Sequence, residues 1–257
     1  MPLPYQFGML MASYVHQRCH LCGVNYSKKS FPKSASICQQ KPSIKLLTRF
    51  DTGVLCDACH NTIAWLPKNF ELVINGGNLP IYPASLYQHP IDSVIRRFKF
   101  HEDMTQLPIL VHLIHQLPRP HGCHSSNAVI LPMPTTKSRL KHRGFDPVSV
   151  LAPYLSKHWG IPIWRGVARV DDSVSQRGLS RVERLNNLNG AFVVTKQIPR
   201  KRILLFDDVV TTGATMTALA NTISPIWSPP IQKTNHTPQL QGFCLAYRHI
   251  NGDNRLK

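Results

Sequence analysis

At 257 residues and 42% hydrophobic side chains, the chain is long enough for one good-sized domain plus a small one, and its composition excludes wholesale disorder. Lys and Arg number 30 against 13 Asp and Glu, a formal net charge of +17, which points to anionic partners such as phosphorylated metabolites or nucleic acid without separating the two. No stretch is apolar enough for long enough to span a bilayer, and the N-terminus MPLPYQFGMLMASYVHQRCHLC, with two early prolines and no basic start, is a poor signal peptide. The expected location is cytoplasmic.

Seven cysteines, four of them in two CxxC pairs, suit metal binding in a reducing compartment better than a disulfide framework. The pairs are Cys19-His-Leu-Cys22 and Cys56-Asp-Ala-Cys59. Each forms a tight knuckle in which two thiolates bite one metal, and two knuckles give the tetrahedral four-sulfur set that structural Zn2+ prefers. Gly23 suits the turn of the first knuckle. Cys56 to His60 also reads CxxCH, the c-type haem pattern, but that reading needs export and leaves the first pair unexplained. His20 and His60 are alternative ligands, though four thiolates already complete the shell. Residues 25–49, rich in Lys, Ser and Pro, form a basic insert between the knuckles that carries Cys38.

Beyond the insert, Ile91, Val94, Ile95 and Phe98 recur at helical spacing, with Arg96, Arg97 and Lys99 read as the other face, either solvated or turned towards phosphate. A second helix is expected from Thr105 to Leu117, with Pro108 confined to its first turn. Ala128 to Leu131 predicts a short buried strand, stopped by the loop Pro132-Met133-Pro134-Thr135-Thr136-Lys137. Arg139, Lys141 and Arg143 continue a basic run, and Val148, Leu151, Leu155 and Trp159 mark the core face of a further helix. Residues 176–184, QRGLSRVER, are basic and helical in pattern; Gly178 is either a lid hinge or part of a static surface helix. Residues 225–239 are proline-rich and irregular, and Gly242 to Tyr247 supply a last strand.

The most informative stretch is RILLFDDVVTTGATM, residues 202–216. The apolar run Ile203 to Phe206 predicts a strand buried on both faces of a parallel sheet. Asp207 and Asp208 follow, and then Thr211, Thr212, Gly213, Ala214 and Thr215 open into a helix carrying Met216, Leu219 and Ala220. A strand, a small-residue loop and a helix N-terminus make an anion site, because unpaired backbone N–H groups and the helix dipole both favour negative charge there. The two carboxylates stand at the carboxyl end of the strand, where open α/β sheets bind ligands, and are placed to accept from sugar hydroxyls.

This stretch resembles the phosphoribosyl-pyrophosphate (PRPP) motif of type I phosphoribosyltransferases. The order CxxC…CxxC, IRRFKF, LPMP with KHRGFD, QRGLSRVERLNNLNGAF and LLFDDVVTTGAT resembles the ComF family of competence-associated phosphoribosyltransferase-like proteins, from Cys19 to Tyr247. The resemblance implies an α/β fold: a type I phosphoribosyltransferase-like parallel sheet with helices on both faces (residues 76–257), preceded by a zinc-ribbon domain with a basic insert (residues 1–75). It implies that Asp207 and Asp208 hold ribose, Thr211 to Thr215 the 5′-phosphate, Met133, Pro134, Thr135, Thr136 and Lys137 the pyrophosphate, and Cys19, Cys22, Cys56 and Cys59 structural Zn2+. Mg2+ would accompany PRPP. The implied role is uptake of single-stranded DNA in natural competence, with DNA and motor or pore proteins as partners. An active transferase of nucleotide salvage and a zinc-ribbon adaptor of the uptake machinery are the alternatives. The family's RGFNQ is Arg143-Gly144-Phe145-Asp146-Pro147 here, which leaves a role for an amide at that point without its residue.

Overall fold

The computed structural model describes residues 17–26, 53–65, 68–170, 190–199, 201–225 and 240–248. The chain divides into two compact units, Met1–Thr62 and Ile63–Lys257. The segment 70–74 belongs with the larger unit because it pairs with that unit's sheet.

In the small unit, β1 (Gln17–Arg18) pairs antiparallel with β2 (Asn25–Tyr26), and α1 spans Asp57–Thr62. The turn between the strands is closed by Cys19 N–H to Val24 O and Gly23 N–H to Cys19 O, both 2.9 Å. Gly23 has φ +76°, a left-handed value that a side chain disfavours.

The larger unit is built on a five-stranded sheet: β3 (Phe70–Ile74), β4 (Gly77–Leu86), β5 (Ala128–Pro132), β8 (Arg202–Val210) and β9 (Leu240–Tyr247), in the order β3-β4-β9-β8-β5. β3 is antiparallel to β4, and every other neighbouring pair is parallel. β9 is central and buried along its whole length, and β8 is buried from Arg202 to Phe206; such two-sided burial is why both read as continuous apolar runs. A separate small ribbon pairs β6 (Val167–Arg169) with β7 (Phe192–Val194).

The helices are α2 (Ile91–His101), α3 (Leu107–Gln116), α4 (Lys137–Arg143), α5 (Pro147–Trp159) and α6 (Ala214–Ile223). Pro108 sits in the first turn of α3, as expected. They cover both faces of the sheet, as two adjacent residues of β9 show. A Cβ on Gly242 would lie 2.9 Å from Met216 of α6, whereas Phe243 meets Trp159 of α5 edge-on at 4.8 Å. Successive strand residues point to opposite faces, so α5 and α6 lie on opposite sides. The departure at Asp146-Pro147 has a local reason: Asp146 caps α5 by accepting from Val148 N–H (3.1 Å) and Ser149 Oγ (2.6 Å), and Pro147 opens the helix.

Gly213, the N-cap of α6, has φ +80°, and a Cβ there would come within 2.5 Å of both Leu72 methyls of β3. Its bare face is thus filled by core packing. Gly213→Ala is expected to cost about 2–4 kcal/mol, from overpacking plus left-handed strain, read as a lower urea midpoint at unchanged slope. An unchanged midpoint would show that Leu72 yields freely. The lid reading of Gly178, residues 171–189 and most of 225–239 lie outside the described residues, as do Cys38 and the basic insert from residue 27 onward.

Candidate functional site

The small unit brings both CxxC pairs together. His20 N–H donates to Val54 O (3.0 Å) and Tyr26 Oη to Gly53 O (2.7 Å), which ties the first knuckle to the segment leading into the second. The ligand atoms of Cys19, Cys22, Cys56 and Cys59 all lie within 4.8 Å of one another, and Cys22 Sγ is 3.9 Å from Cys56 Sγ. A tetrahedron with metal–sulfur bonds of about 2.3 Å has edges of about 3.8 Å, so the four sulfurs fit Zn2+. No disulfide links them. Burial opposes ionisation of Cys19, but backbone N–H groups of Cys22, Cys56 and Leu21 outweigh it and lower the thiol to about 6. Burial and the other three sulfurs push Cys59 up instead. Four thiolates crowded like this need a cation. No histidine joins the cluster among the described residues.

The second site is the carboxyl end of the sheet. β5 and β8 run side by side in parallel, with Pro132 opposite Phe206, and Met133 N–H donates to Phe206 O at 2.7 Å. The loop starting at Met133 and the segment starting at Asp207, 74 residues apart in sequence, therefore leave the sheet together. β8 continues past the apolar run that ends at Phe206, through both acids to Val210. Thr211 and Thr212 are exposed, and Ala214 and Thr215 are half-buried in the first turn of α6. Because the N-cap is a glycine, no side chain of the cap residue closes that turn; Thr212 Oγ1 accepts from Ala214 N–H at 3.3 Å. In the neighbouring loop, Pro134 and Thr135 are half-buried and Lys137 is exposed, while Met133 is buried. Thr136 is buried too, and its hydroxyl caps α4 by accepting from Arg139 N–H at 3.2 Å.

The two acids are adjacent and each is held by the backbone. Asp207 Oδ1 accepts from Asp208 N–H at 2.8 Å, and Asp208 Oδ1 from Val209 N–H at 2.7 Å. Burial, then the charge of Asp208, pushes the Asp207 carboxyl well above the usual carboxylate range, with Lys99 opposing. Lys99 Nζ donates to Asp208 Oδ1 at 2.9 Å. Sequence reasoning had placed Lys99 on the polar face of α2 with Arg96 and Arg97. Those two do lie on the surface, paired with Asp92 and Asp103, each at 3.1 Å. A signal for Lys99 was present: it stands four residues after Ile95 and eight after Ile91, on the apolar stripe itself, where a charge needs a partner.

Beside this end of the sheet, α4 carries Lys137, Arg139, Lys141, His142 and Arg143 and no acid. Its last residue, Arg143, lies 5.0 Å over the ring of Phe100, which is 60% exposed. Among the described residues, no helix is long and apolar enough to cross a membrane.

No protein-family model matches the chain. Competence protein F of Haemophilus influenzae is 32% identical to it over 182 residues, which cover 68% of this chain and 75% of that relative. With an α/β sheet of mostly parallel strands, a four-cysteine cluster ahead of it and this identity over three quarters of the relative, the chain belongs to the Competence protein F (ComF) family.

Proposed function

We propose that the chain is a phosphoribosyltransferase-like protein of natural competence, which binds PRPP with Mg2+ at the end of its sheet and handles single-stranded DNA on its basic surface. The observation that carries the reading is the adjacency of β5 and β8, which sets the Met133–Lys137 loop beside the acid pair and the open first turn of α6. Ribose hydroxyls donate to Asp207 and Asp208. The 5′-phosphate takes the N–H groups and hydroxyls of Thr211 to Thr215, and the pyrophosphate lies along the loop with Lys137. Such a site works by placing donors where negative charge sits. The small unit is its zinc ribbon, a surface for motor or pore proteins of the uptake machinery. The test is calorimetric titration of PRPP with Mg2+ into the wild-type chain and an Asp207→Asn/Asp208→Asn variant. Absence of binding to the wild type would end the reading.

Basic helix α4 with exposed Phe100 beside it favours the DNA half: cations track the phosphates, and a partly exposed ring, with Arg143 over one face, adds an aromatic surface for a base. Removing Arg139 and Lys141 as alanines is expected to flatten the salt dependence of single-stranded DNA binding by a slope of about 1.4, at about 0.7 per phosphate contact. An unchanged slope places the DNA elsewhere. The second reading, pentosyl transfer to a nitrogenous acceptor with release of pyrophosphate, uses the same pocket. Pyrophosphate release across a panel of nucleobases separates it from a binding-only role.

A further inference from the structure

Lys99 interrupts an otherwise apolar stripe. Ile91, Val94, Ile95 and Phe98 of that stripe are buried, and the next position along it is this lysine. Its side chain is 18% exposed and that of its partner Asp208 7%, so the pair is largely out of water. The neighbouring cations Arg96 and Arg97 are committed to Asp92 and Asp103. Lys99 is thus the α2 cation that reaches the strand-end acids. Asp208 Oδ1 takes both Lys99 Nζ and Val209 N–H, and Asp207 Oδ1 takes Asp208 N–H, so one oxygen of each acid is held by the protein.

We propose that Lys99 is a positioning residue: its ammonium pins Asp208 and balances the acid pair, so that the pair presents a fixed set of acceptors to the hydroxyls of a sugar phosphate. The inference rests on the sugar-phosphate reading of this site. Two adjacent acids at the end of a buried strand repel one another and resist ionising together; a fixed cation offsets that repulsion before any ligand arrives. Because the ammonium comes from a helix on a different element, the pair is also held in position relative to α2. Among the described residues, the titratable groups facing Asp207 are Asp208 on its own strand, Lys99 on α2 and Cys244 on β9, whose thiol is pushed up by burial and by Asp207.

The experiment uses the full chain and the variants Lys99→Met, Lys99→Gln and Lys99→Arg, each checked for a cooperative melt. Two quantities are read: the titration of the Asp207 carboxyl in ligand-free protein by 13C NMR of labelled aspartate, and the affinity for PRPP across pH. Loss of the cation is expected to move the Asp207 titration to higher pH by roughly half a unit or more, and to weaken PRPP binding roughly tenfold at neutral pH. The rise of affinity with pH should shift the same way. Lys99→Arg should restore most of both. If Lys99→Met and Lys99→Gln leave the titration in place, and lower affinity evenly across pH or not at all, the inference is overturned while PRPP binding by the wild type stands. If the titration responds but the wild type binds neither PRPP nor ribose 5-phosphate at any pH, the sugar-phosphate reading fails and takes the inference with it.

Discussion

Asp207→Asn with Asp208→Asn is expected to weaken PRPP binding by roughly two to four orders of magnitude, since each charge-assisted hydrogen bond lost is worth about 1.5–3 kcal/mol and 1.4 kcal/mol is tenfold. Part of any loss could be a folding effect, because Asp208→Asn strands Lys99 without its carboxylate. Breaking a buried pair by removing one partner costs about 3–5 kcal/mol. The single variant Asp207→Asn separates the two effects, because it leaves the Lys99–Asp208 bridge intact. The sign of its stability change follows from linkage. The Asp207 carboxyl is raised in the folded state, so folding favours its protonated form. Its contribution is therefore most favourable below the ordinary carboxylate value of 3.8 and is lost as pH rises from there through the raised value. An asparagine mimics the protonated form at every pH. Asp207→Asn should thus equal or exceed the wild type in melting temperature at neutral pH, with the difference shrinking on acidification, while PRPP affinity falls. A variant that loses stability and affinity in parallel would mean that Asp207 serves the fold and has no part in ligand recognition. Stability set against binding at one residue is the pattern expected of a functional site.

Removal of metal from the four-cysteine cluster should unfold the small unit. Among the described residues, β1 and β2 are two residues long and α1 is a six-residue helix with no buried residue. Cys19 and Leu55 are the buried apolar side chains described there. So little core cannot offset the chain entropy of ordering the segment, whereas a structural zinc site contributes about 10–16 kcal/mol on binding. Chelation, or Cys19→Ser with Cys22→Ser, is expected to collapse the amide NMR dispersion of residues 17–26 and 53–62. Signals of the larger unit, which has its own core of Trp159, Phe206, Phe243 and Tyr247, should persist. Elemental analysis should give one zinc per wild-type chain. Dispersion that survives complete zinc removal would show that the small unit folds without metal.

Much of this was written in local chemistry. The CxxC spacing named four ligands because a knuckle is a short-range object, and Cys56 and Cys59 join Cys19 and Cys22 as the pattern required. The helices through Ile91, Pro108 and Trp159 and the strands at Ala128, Ile203 and Gly242 follow from apolar period and proline placement, and each has its expected type. Other contacts were not legible in apolar period or residue spacing. A Cβ on Gly213 would meet Leu72 of β3, far away in sequence. The Thr136 hydroxyl caps α4. Residues 70–74 form β3 and pair with β4.

The sequence by itself pointed to the helices at Ile91, Pro108 and Trp159, to the strands at Ala128, Ile203 and Gly242, to the two CxxC pairs, and to carboxylates and small residues that follow a buried strand, because each is a pattern of residues within a few turns of one another. Only the tertiary structure decided that the Met133 loop leaves the sheet beside Asp207, and that Lys99 meets an aspartate 109 positions away. Strand order and the partner of a buried charge are settled by long-range packing, where burial cost and Coulomb attraction select among contacts that no local pattern encodes.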